Sequence, residues 1–255
     1  MIYGLYLSAT GVLTNSYRQD IIANNLANAE TVGFKRDVAL FHERLTEAQM
    51  RLGRAGWSNP DLERLGGGLL ASPTLVDSTQ GELEPTGHGM DVAIQGPGFF
   101  QVRTHDKLQR LTRDGRFGLD RDGYLILANG TGERVMDPAG KPIQLDPTIA
   151  PEIDREGTVT QNGQPVARLG LYEAPDPRLL KKEGGNLLSY AEPNRLRTAG
   201  PATTLRSAFI ERANVDPATE LAVLMDAQRQ LEANANMIRY QDSMLAKLVN
   251  EVGKI

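Results

Sequence analysis

The sequence predicts an α+β fold in which N- and C-terminal helices form a coiled-coil-like axial core. Between them lies a central antiparallel, all-β domain that is barrel- or sandwich-like. Three observations predict it: heptad-spaced apolar residues near the C-terminus, an amphipathic stretch at the start, and short β-type runs separated by turn dipeptides in the middle. Since no long helical pattern separates these runs, a parallel βαβ sheet is excluded.

The C-terminal helix is predicted from Asp216 to about Val252. Asp216 is a suitable N-cap, and Pro217 suits the first helical turn, where a missing N–H costs nothing. One heptad column contains Leu224, Leu231, Ile238, Leu245 and Val252. Its companion column contains Leu221, Gln228, Ala235, Asp242 and Val249. Because the companion column is partly polar or small, we expect this helix to pack against several partners.

The N-terminal helix is predicted between Ile2 and Asn28, with Gly33 as the terminator that follows it. Its apolar arc includes Leu5, Ala9, Val12 and Leu13. Near its end stand three asparagines that a helix interior seldom contains: Asn24, Asn25 and Asn28. Long helices without a globular partner are marginal in water, so we expect both termini to be poorly ordered in the free monomer.

The middle of the chain begins with a connector and continues as strands. Glycines and Pro60 predict a flexible connector over residues 46–68. The runs on either side of Asp122-Gly123 predict a hairpin, Phe117 to Leu119 with Tyr124 to Leu127. The acidic pattern of Asp120 and Asp122 is interpreted as part of that turn rather than as a Ca²⁺ loop.

Two further stretches predict strands. The run from Val166 to Tyr172 predicts a single strand. The glycines around Pro97 predict a tight turn leading into a strand, whose Phe99 and Phe100 point to opposite faces. We expect one of these phenylalanines in the core and the other at a contact surface. In total the sequence divides into an N-terminal axial helix and arm (1–45), a linker with the start of the β region (46–89), a β domain (90–204) and a C-terminal axial helix (205–255).

Composition excludes several function classes. The chain has 255 residues, no cysteine and a formal net charge of −4, so disulfides and thiolate metal sites are impossible and nucleic-acid binding has no electrostatic support. No stretch is apolar enough for a membrane span, and the first residues lack the features of a cleaved signal. The three histidines, His42, His88 and His105, have no metal-site spacing, so no metal or cofactor is expected.

The sequence contains no clear catalytic motif. Paired carboxylates such as Asp91 with Asp114, or Glu82 with Glu84, could do acid/base chemistry, but nothing in the sequence shows that they converge. No nucleophile motif of the Gly-x-Ser-x-Gly kind occurs. We therefore expect no catalytic activity.

Three motifs together resemble the axial proteins of the bacterial flagellar rod and hook. The first runs from Ile22 to Lys35 and contains Asn24-Asn25-Leu26-Ala27-Asn28. The second is Asp91 to Val102, followed by Leu111-Thr112-Arg113-Asp114-Gly115. The third is Asn214-Val215-Asp216 with the helix after it. They stand in the family's order and cover nearly the whole chain.

The resemblance implies a rod subunit of the two-domain type, proximal or distal, which polymerises helically into the shaft that transmits torque from motor to hook. It implies location in the basal body, other rod and hook proteins as partners, and passage through the flagellar export apparatus without a cleaved signal peptide. The residues expected to carry assembly are Leu5, Ala9, Val12, Leu13, Asn24, Asn25, Leu26, Asn28, Leu221, Leu224, Leu231, Ile238 and Leu245.

Two other hypotheses remain at this point. A soluble adaptor would dimerise through its coiled coil and bind a ligand with its β domain. A hydrolase with a β catalytic domain would need a convergent acid pair. The adaptor predicts a discrete dimer, whereas a rod subunit predicts a monomer that assembles only on its scaffold.

Overall fold

A helix at each end of the chain flanks a region of short strands. The computed structural model describes residues 2–45 and 68–252. Helix α1 spans Ile2–Ala27 and helix α2 spans Pro217–Val252, which confirms both predicted helices. The predicted connector over residues 46–67 lies outside the described residues.

The strands are short, and each pair with a defined register is antiparallel. The first nine are β1 Asp37–Glu43, β2 Leu69–Val76, β3 Leu83–Pro85, β4 Val92–Gln95, β5 Phe99–Arg103, β6 Gln109–Thr112, β7 Phe117–Leu119, β8 Leu125–Leu127 and β9 Arg134–Val135. The others are β10 Glu152–Ile153, β11 Thr158–Gln161, β12 Gln164–Arg168, β13 Leu171–Glu173, β14 Leu180–Lys182, β15 Leu188–Tyr190, β16 Arg197–Thr198, β17 Thr204–Ser207 and β18 Phe209–Glu211.

The described residues divide into two compact units. The helical unit contains residues 2–26, 37–45, 68–74 and 217–252. The β unit contains residues 27–36 and 75–216, so the short segments next to both helices belong to it. The four segments predicted from the sequence (1–45, 46–89, 90–204 and 205–255) stay predictions.

The largest sheet of the β unit is an open path of strands. Its order is β14-β15-β6-β5-β9-β8-β7, with β13 and β16 attached beside β5. The central antiparallel β region is thus confirmed. The two end strands of this path do not pair with each other, so the barrel-like alternative of the prediction is wrong for the described residues. Closure requires strands long enough to keep a regular stagger around a ring, and these strands contain two to five residues.

Two apolar clusters pack on opposite sides of strand β5. Phe100 lies in the larger cluster, where its ring meets that of Phe117 edge-on at 5.0 Å between centroids. Phe99 lies in the second cluster, together with Leu111 and Tyr190. The opposite orientations are therefore confirmed. The expected contact surface is wrong, because Phe99 is only 3 % exposed.

Local turn chemistry explains the strand boundaries on either side of Gly123. Strands β7 and β8 form the predicted hairpin. At its turn the Asp120 carboxylate accepts hydrogen bonds from the Asp122 and Tyr124 N–H groups, at 2.9 and 2.7 Å. Gly123 adopts a φ of +79°, which glycine tolerates best. These contacts confirm the interpretation of the acidic pattern as a turn.

The strand predicted from Val166 to Tyr172 is interrupted. β12 ends at Arg168 and β13 begins at Leu171. Between them, the Gly170 N–H donates to the Met136 carbonyl at 2.8 Å, and a Cβ atom at Gly170 would lie 2.9 Å from the same oxygen. The chain crosses from one sheet to the other at this glycine, which hydrophobic alternation does not reveal.

A buried carboxylate joins three distant parts of the β unit. Glu211 of β18 accepts from Lys35 Nζ at 2.6 Å and from Arg113 Nη1 at 2.9 Å. The side chains of Lys35, Arg113 and Glu211 are 1 %, 2 % and 0 % exposed. We call these three residues the buried ion cluster. It holds the segment after α1, the β core and the segment before α2 together.

Backbone carbonyls also accept hydrogen bonds from the two cations of the buried ion cluster. Lys35 Nζ also donates to the Thr79 carbonyl at 2.6 Å, and Arg113 Nη2 donates to the Gly96 carbonyl at 2.9 Å. Burial lowers the pKa of Lys35 and of Arg113, and the Glu211 carboxylate opposes both shifts. The Glu211 carboxylate is therefore the ion-pair partner that both cations share.

Asn214 makes a second connection between the same segments. Its Oδ1 accepts from the Arg36 N–H at 2.7 Å, while its Nδ2 donates to the Asp77 carbonyl at 3.0 Å. The Gly33 N–H donates to the Glu211 carbonyl at 2.7 Å. The Asn214 N–H also donates to the Phe34 carbonyl at 3.4 Å, so the first and third sequence motifs are hydrogen-bonded to each other.

We expect Glu211→Gln to lower the free energy of unfolding by about 3–5 kcal/mol, because it leaves two buried cations without their counter-charge. The control is Glu84→Gln on the neighbouring strand β3, whose contact with Arg212 is exposed and 3.7 Å long. That change should cost less than about 1 kcal/mol. Urea unfolding of the full chain, followed by circular dichroism, measures both. Equal costs would contradict a central role for the cluster.

Gly33→Ala should also destabilise the β unit, through two effects. Gly33 has a φ of +70°, and a Cβ there would lie 2.5 Å from the backbone between Arg113 and Asp114. Gly130→Ala is the matched control, since Gly130 has a φ of +89° with nothing within 4 Å of its Cβ position. We expect the control to lower the free energy of unfolding by about 1 kcal/mol and Gly33→Ala to lower it by more, both measured by urea unfolding. A smaller effect at Gly33 would contradict the close approach.

Candidate assembly surfaces of the terminal helices

Helices α1 and α2 pack together antiparallel within the helical unit. A Cβ atom at Gly4 would lie 2.8 Å from Gln241 Nε2, and one at Gly11 would lie 2.8 Å from Asn234 Nδ2. The α2 amides therefore rest directly on the α1 backbone where α1 has no side chain. As the residue number rises along α1 it falls along α2, which fixes the relative direction of the helices.

The less exposed side of α2 differs in part from the predicted seam. Its residues alternate in spacings of four and three: Glu220, Leu224, Ala227, Leu231, Asn234, Ile238, Gln241 and Leu245. The predicted column from Leu224 to Leu245 lies on this side. Its actual companion is the polar and small column from Glu220 to Gln241. The predicted companion residues are mostly exposed, as Leu221 is, because they lie one position further along the helix.

The buried residues of α1 include small and polar side chains as well as the apolar Ile21 and Ile22. Ser8 and Thr14 are buried, and the Thr14 hydroxyl donates to the Thr10 carbonyl of its own helix at 2.9 Å. Among the predicted apolar arc, Leu5, Ala9 and Val12 are half-buried. Leu13 is 70 % exposed. The apolar arc is therefore not what meets α2 most closely, and hydrophobic periodicity alone missed the side that does.

The sheet of β1 and β2 contacts another side of α1. The Tyr17 ring meets Phe41 edge-on at 6.4 Å between centroids, and its hydroxyl donates to the Ser72 carbonyl at 3.4 Å. Arg44 donates to the Tyr6 hydroxyl at 3.1 Å. With α2 on one side and strands on another, α1 has the more complete shell of the two helices.

The asparagine motif at the end of α1 contains residues in different environments. Asn25 is 1 % exposed, and its amide pairs with the backbone of Asp37 as a neighbouring strand would, at 2.8 and 2.9 Å. Asn24 is exposed, whereas Leu26 and Asn28 are half-buried. The Asn28 carbonyl accepts from the Thr31 N–H in the turn that ends the helix. Asn25 thus fixes the start of β1, and Asn24 faces outward.

An apolar stripe is exposed on the C-terminal half of α2. Its four residues are spaced three, four and four apart and lie on one face of the helix: Met237, Tyr240, Met244 and Leu248. Met244, for example, is 58 % exposed. We call these residues the methionine stripe. Leu221 and Met225 are exposed nearer the start of the helix. Large apolar side chains grouped in this way mark an interaction surface.

The chemical candidates from the sequence are accounted for by local structure. The Asp114 carboxylate accepts two hydrogen bonds from the Arg116 guanidinium, at 3.0 and 2.7 Å, so it is committed to an ion pair. His42 bonds to the Ser72 hydroxyl and His105 to the Thr131 carbonyl. In the described part of the chain, no three His, Asp or Glu side chains are grouped to hold a metal.

Neither described helix combines the length and apolar character needed to cross a membrane.

Three family profiles match the chain in sequential order. They are "Flagella basal body rod protein" over residues 5–35, "Flagellar hook protein FlgE/F/G D1 domain" over residues 93–164 and "Flagellar basal body rod FlgEFG protein C-terminal" over residues 206–251. The first and third cover most of α1 and α2, and the second covers strands of the β unit.

Curated relatives match over nearly their whole length. The chain is 33 % identical to the flagellar basal-body rod protein FlgF of Caulobacter vibrioides, with 98 % of each chain covered. It is 34 % identical to FlgG of Buchnera aphidicola subsp. Schizaphis graminum, covering 97 % of this chain and 99 % of the relative. FlgG of Bacillus subtilis is 30 % identical, with 98 % and 99 % covered. The chain therefore belongs to the family of flagellar basal-body rod proteins that includes FlgF and FlgG.

Proposed function

We propose that this chain is a structural subunit of the flagellar rod that polymerises helically through its terminal helices. The observation that carries the proposal is the methionine stripe, together with membership of the rod family. A soluble chain gains nothing from four exposed apolar residues on one helix face unless another chain covers them. In this role the protein is a mechanical component rather than a catalyst.

In the proposed rod, the terminal helices form the inner layer and the β unit forms the outer wall. Contacts between different surfaces of successive subunits do not close into a ring and so build a helical shaft. Coiled-coil-like packing between neighbouring helices would bury the sides that the α1–α2 pair leaves half-covered. Besides the methionine stripe, the residues assigned to these contacts are Leu5, Ala9, Val12, Leu13, Leu221, Leu224, Leu231, Ile238 and Leu245.

The asparagine motif has two roles in this proposal. Asn24, which is exposed, contacts neighbouring subunits together with Leu26 and Asn28. Asn25 acts indirectly, because both functions of its amide are already satisfied by Asp37. It positions the start of β1 relative to the end of α1.

The proposed partners are further copies of this chain and other rod and hook proteins. Export through the flagellar apparatus without a cleaved signal peptide belongs to the same proposal, as does transmission of torque to the hook. Nucleic acid and membrane insertion have no place in it. Relatives named FlgF and FlgG match with nearly equal identity, so we propose the rod without choosing its proximal or distal part.

A soluble adaptor is the alternative proposal, since the methionine stripe would also support a closed dimer. Sedimentation velocity of the purified chain distinguishes the two. The rod proposal expects a monomer in dilute solution that elongates only on a preformed end. A discrete dimer at low concentration, with no elongation on isolated basal bodies, would favour the adaptor.

We expect Met244→Asp to block incorporation into the rod and abolish motility, because it places a charge in the methionine stripe. Ala246→Asp is the matched control: it adds the same residue two positions away, at an exposed position on another face of α2. The control should retain motility. Swimming assays with the variant as sole copy, and detection of the subunit in purified basal bodies, measure both. Equal behaviour of the two variants would refute the stripe as an assembly surface.

We also expect amide hydrogen exchange in the free monomer to be much faster in α2 than in the β core. Helix α2 buries only one side, and half of that side is polar or small, so little apolar burial opposes its local opening. Exchange followed by mass spectrometry compares segments around Leu231 and Leu13 with strand β5. Protection at Leu231 equal to that at Phe100 would contradict the expectation.

A further inference from the structure

The two closest approaches between α1 and α2 have the same spacing on both helices. Gly4 and Gly11 are seven residues apart, and so are Asn234 and Gln241, which lie against them. A built Cβ at Gly11 would also lie 3.0 Å from Asn234 Cγ and 3.1 Å from its Oδ1, so the amide fills the space that glycine leaves. The two contacts therefore repeat by one heptad along the pair.

The same alignment continues for two further heptads. On α1 the next positions are Arg18 and Asn25, and on α2 they are Ala227 and Glu220. Arg18 borders a groove lined by α2 residues that include Val223, beside the expected position. Asn25, Ala227 and Glu220 are all buried. Exposure thus follows the alignment along the whole length of α1.

Side-chain sizes are complementary in the first three pairs of this seam, whereas the fourth pairs Asn25 with Glu220. Gly4 faces a glutamine, Gly11 faces an asparagine, and in the continued alignment Arg18 stands opposite Ala227. A slip of one heptad in one direction would place Gly11 opposite Ala227 and leave a void. A slip in the other direction would place Arg18 opposite Asn234 and crowd two large side chains.

We propose that the glycine notches of α1, filled by the Asn234 and Gln241 amides of α2, set the register of the terminal helix pair. Apolar side chains at these positions would pack in several registers, whereas both notches are filled by both amides in only one register. Gly4, Gly11, Asn234 and Gln241 are thus positioning residues. The register determines which part of α1 lies beside the methionine stripe. Any effect of the register on rod assembly rests on the proposed function.

Disulfide trapping tests the register directly, since the chain has no cysteine of its own. The matched pair is Gly11→Cys with Asn234→Cys. Asn234 Cγ lies 3.0 Å from the Cβ position of residue 11, so the two Cβ atoms would be within about 4.5 Å, the distance that a disulfide needs. The slipped pairs combine Gly11→Cys with Gln241→Cys or with Ala227→Cys, each about 10.5 Å away along the helix.

In dilute monomer under mild oxidation, the matched pair should form its intramolecular disulfide roughly tenfold faster than either slipped pair, because only its Cβ atoms lie within bonding distance. Equal rates, or a faster slipped pair, would overturn the proposal. The measurement needs no polymer. A matched pair that dominates in a chain that fails to enter basal bodies would therefore refute the rod proposal while supporting the register.

A size swap supplies the second test, with Gly4→Cys and Gln241→Cys as the reporter pair. Gly11→Asn should slow reporter disulfide formation several-fold, because two amides then compete for one notch. Adding Asn234→Gly should restore the rate, since the notch now lies on the other helix. Leu13→Asn, at an exposed position of α1, is the control and should leave the rate unchanged. Absence of rescue by Asn234→Gly would overturn the role of the notches.

Discussion

The arrangement of the β unit depends on one carboxylate in its interior. Glu211 forms ion pairs with both Lys35 and Arg113, residues that lie 176 and 98 positions away from it along the chain. An ion pair taken out of water is not in itself a large source of stability, but losing one member of it is costly. The cluster therefore acts mainly as a specificity device: the segments that adjoin the two helices can settle in the β unit only when both are correctly placed.

The helical unit is held together by a different kind of contact, between small and uncharged polar side chains of its two helices. Its two helices meet through glycine, serine, threonine, asparagine and glutamine as much as through leucine, so the pair itself buries little apolar surface. A helix pair of this kind has a defined alignment without much stability of its own. In the proposed rod, further packing of these helices would come from neighbouring subunits.

Sequence reasoning predicted the parts of the fold that depend on local signals. Heptad spacing and the Asp216-Pro217 start gave both ends of α2 closely, and Asp122-Gly123 located a hairpin turn. It did not predict the contacts that join distant positions. No local pattern in the sequence marks Glu211 as buried. A search for apolar periodicity does not detect the seam residues Ala227 and Asn234, because one is small and the other polar, although they are seven residues apart. The second core around Phe99 was missed because strand alternation does not reveal what covers each face.

The composition of the methionine stripe has a consequence for mechanics. Methionine side chains are unbranched and polarisable, and they change rotamer at little cost, so they fill irregular gaps and repack when their surroundings shift. In the proposed rod, Met237 and Met244 would let this surface fit neighbouring subunits that meet it at slightly different distances, giving a contact that adapts without separating.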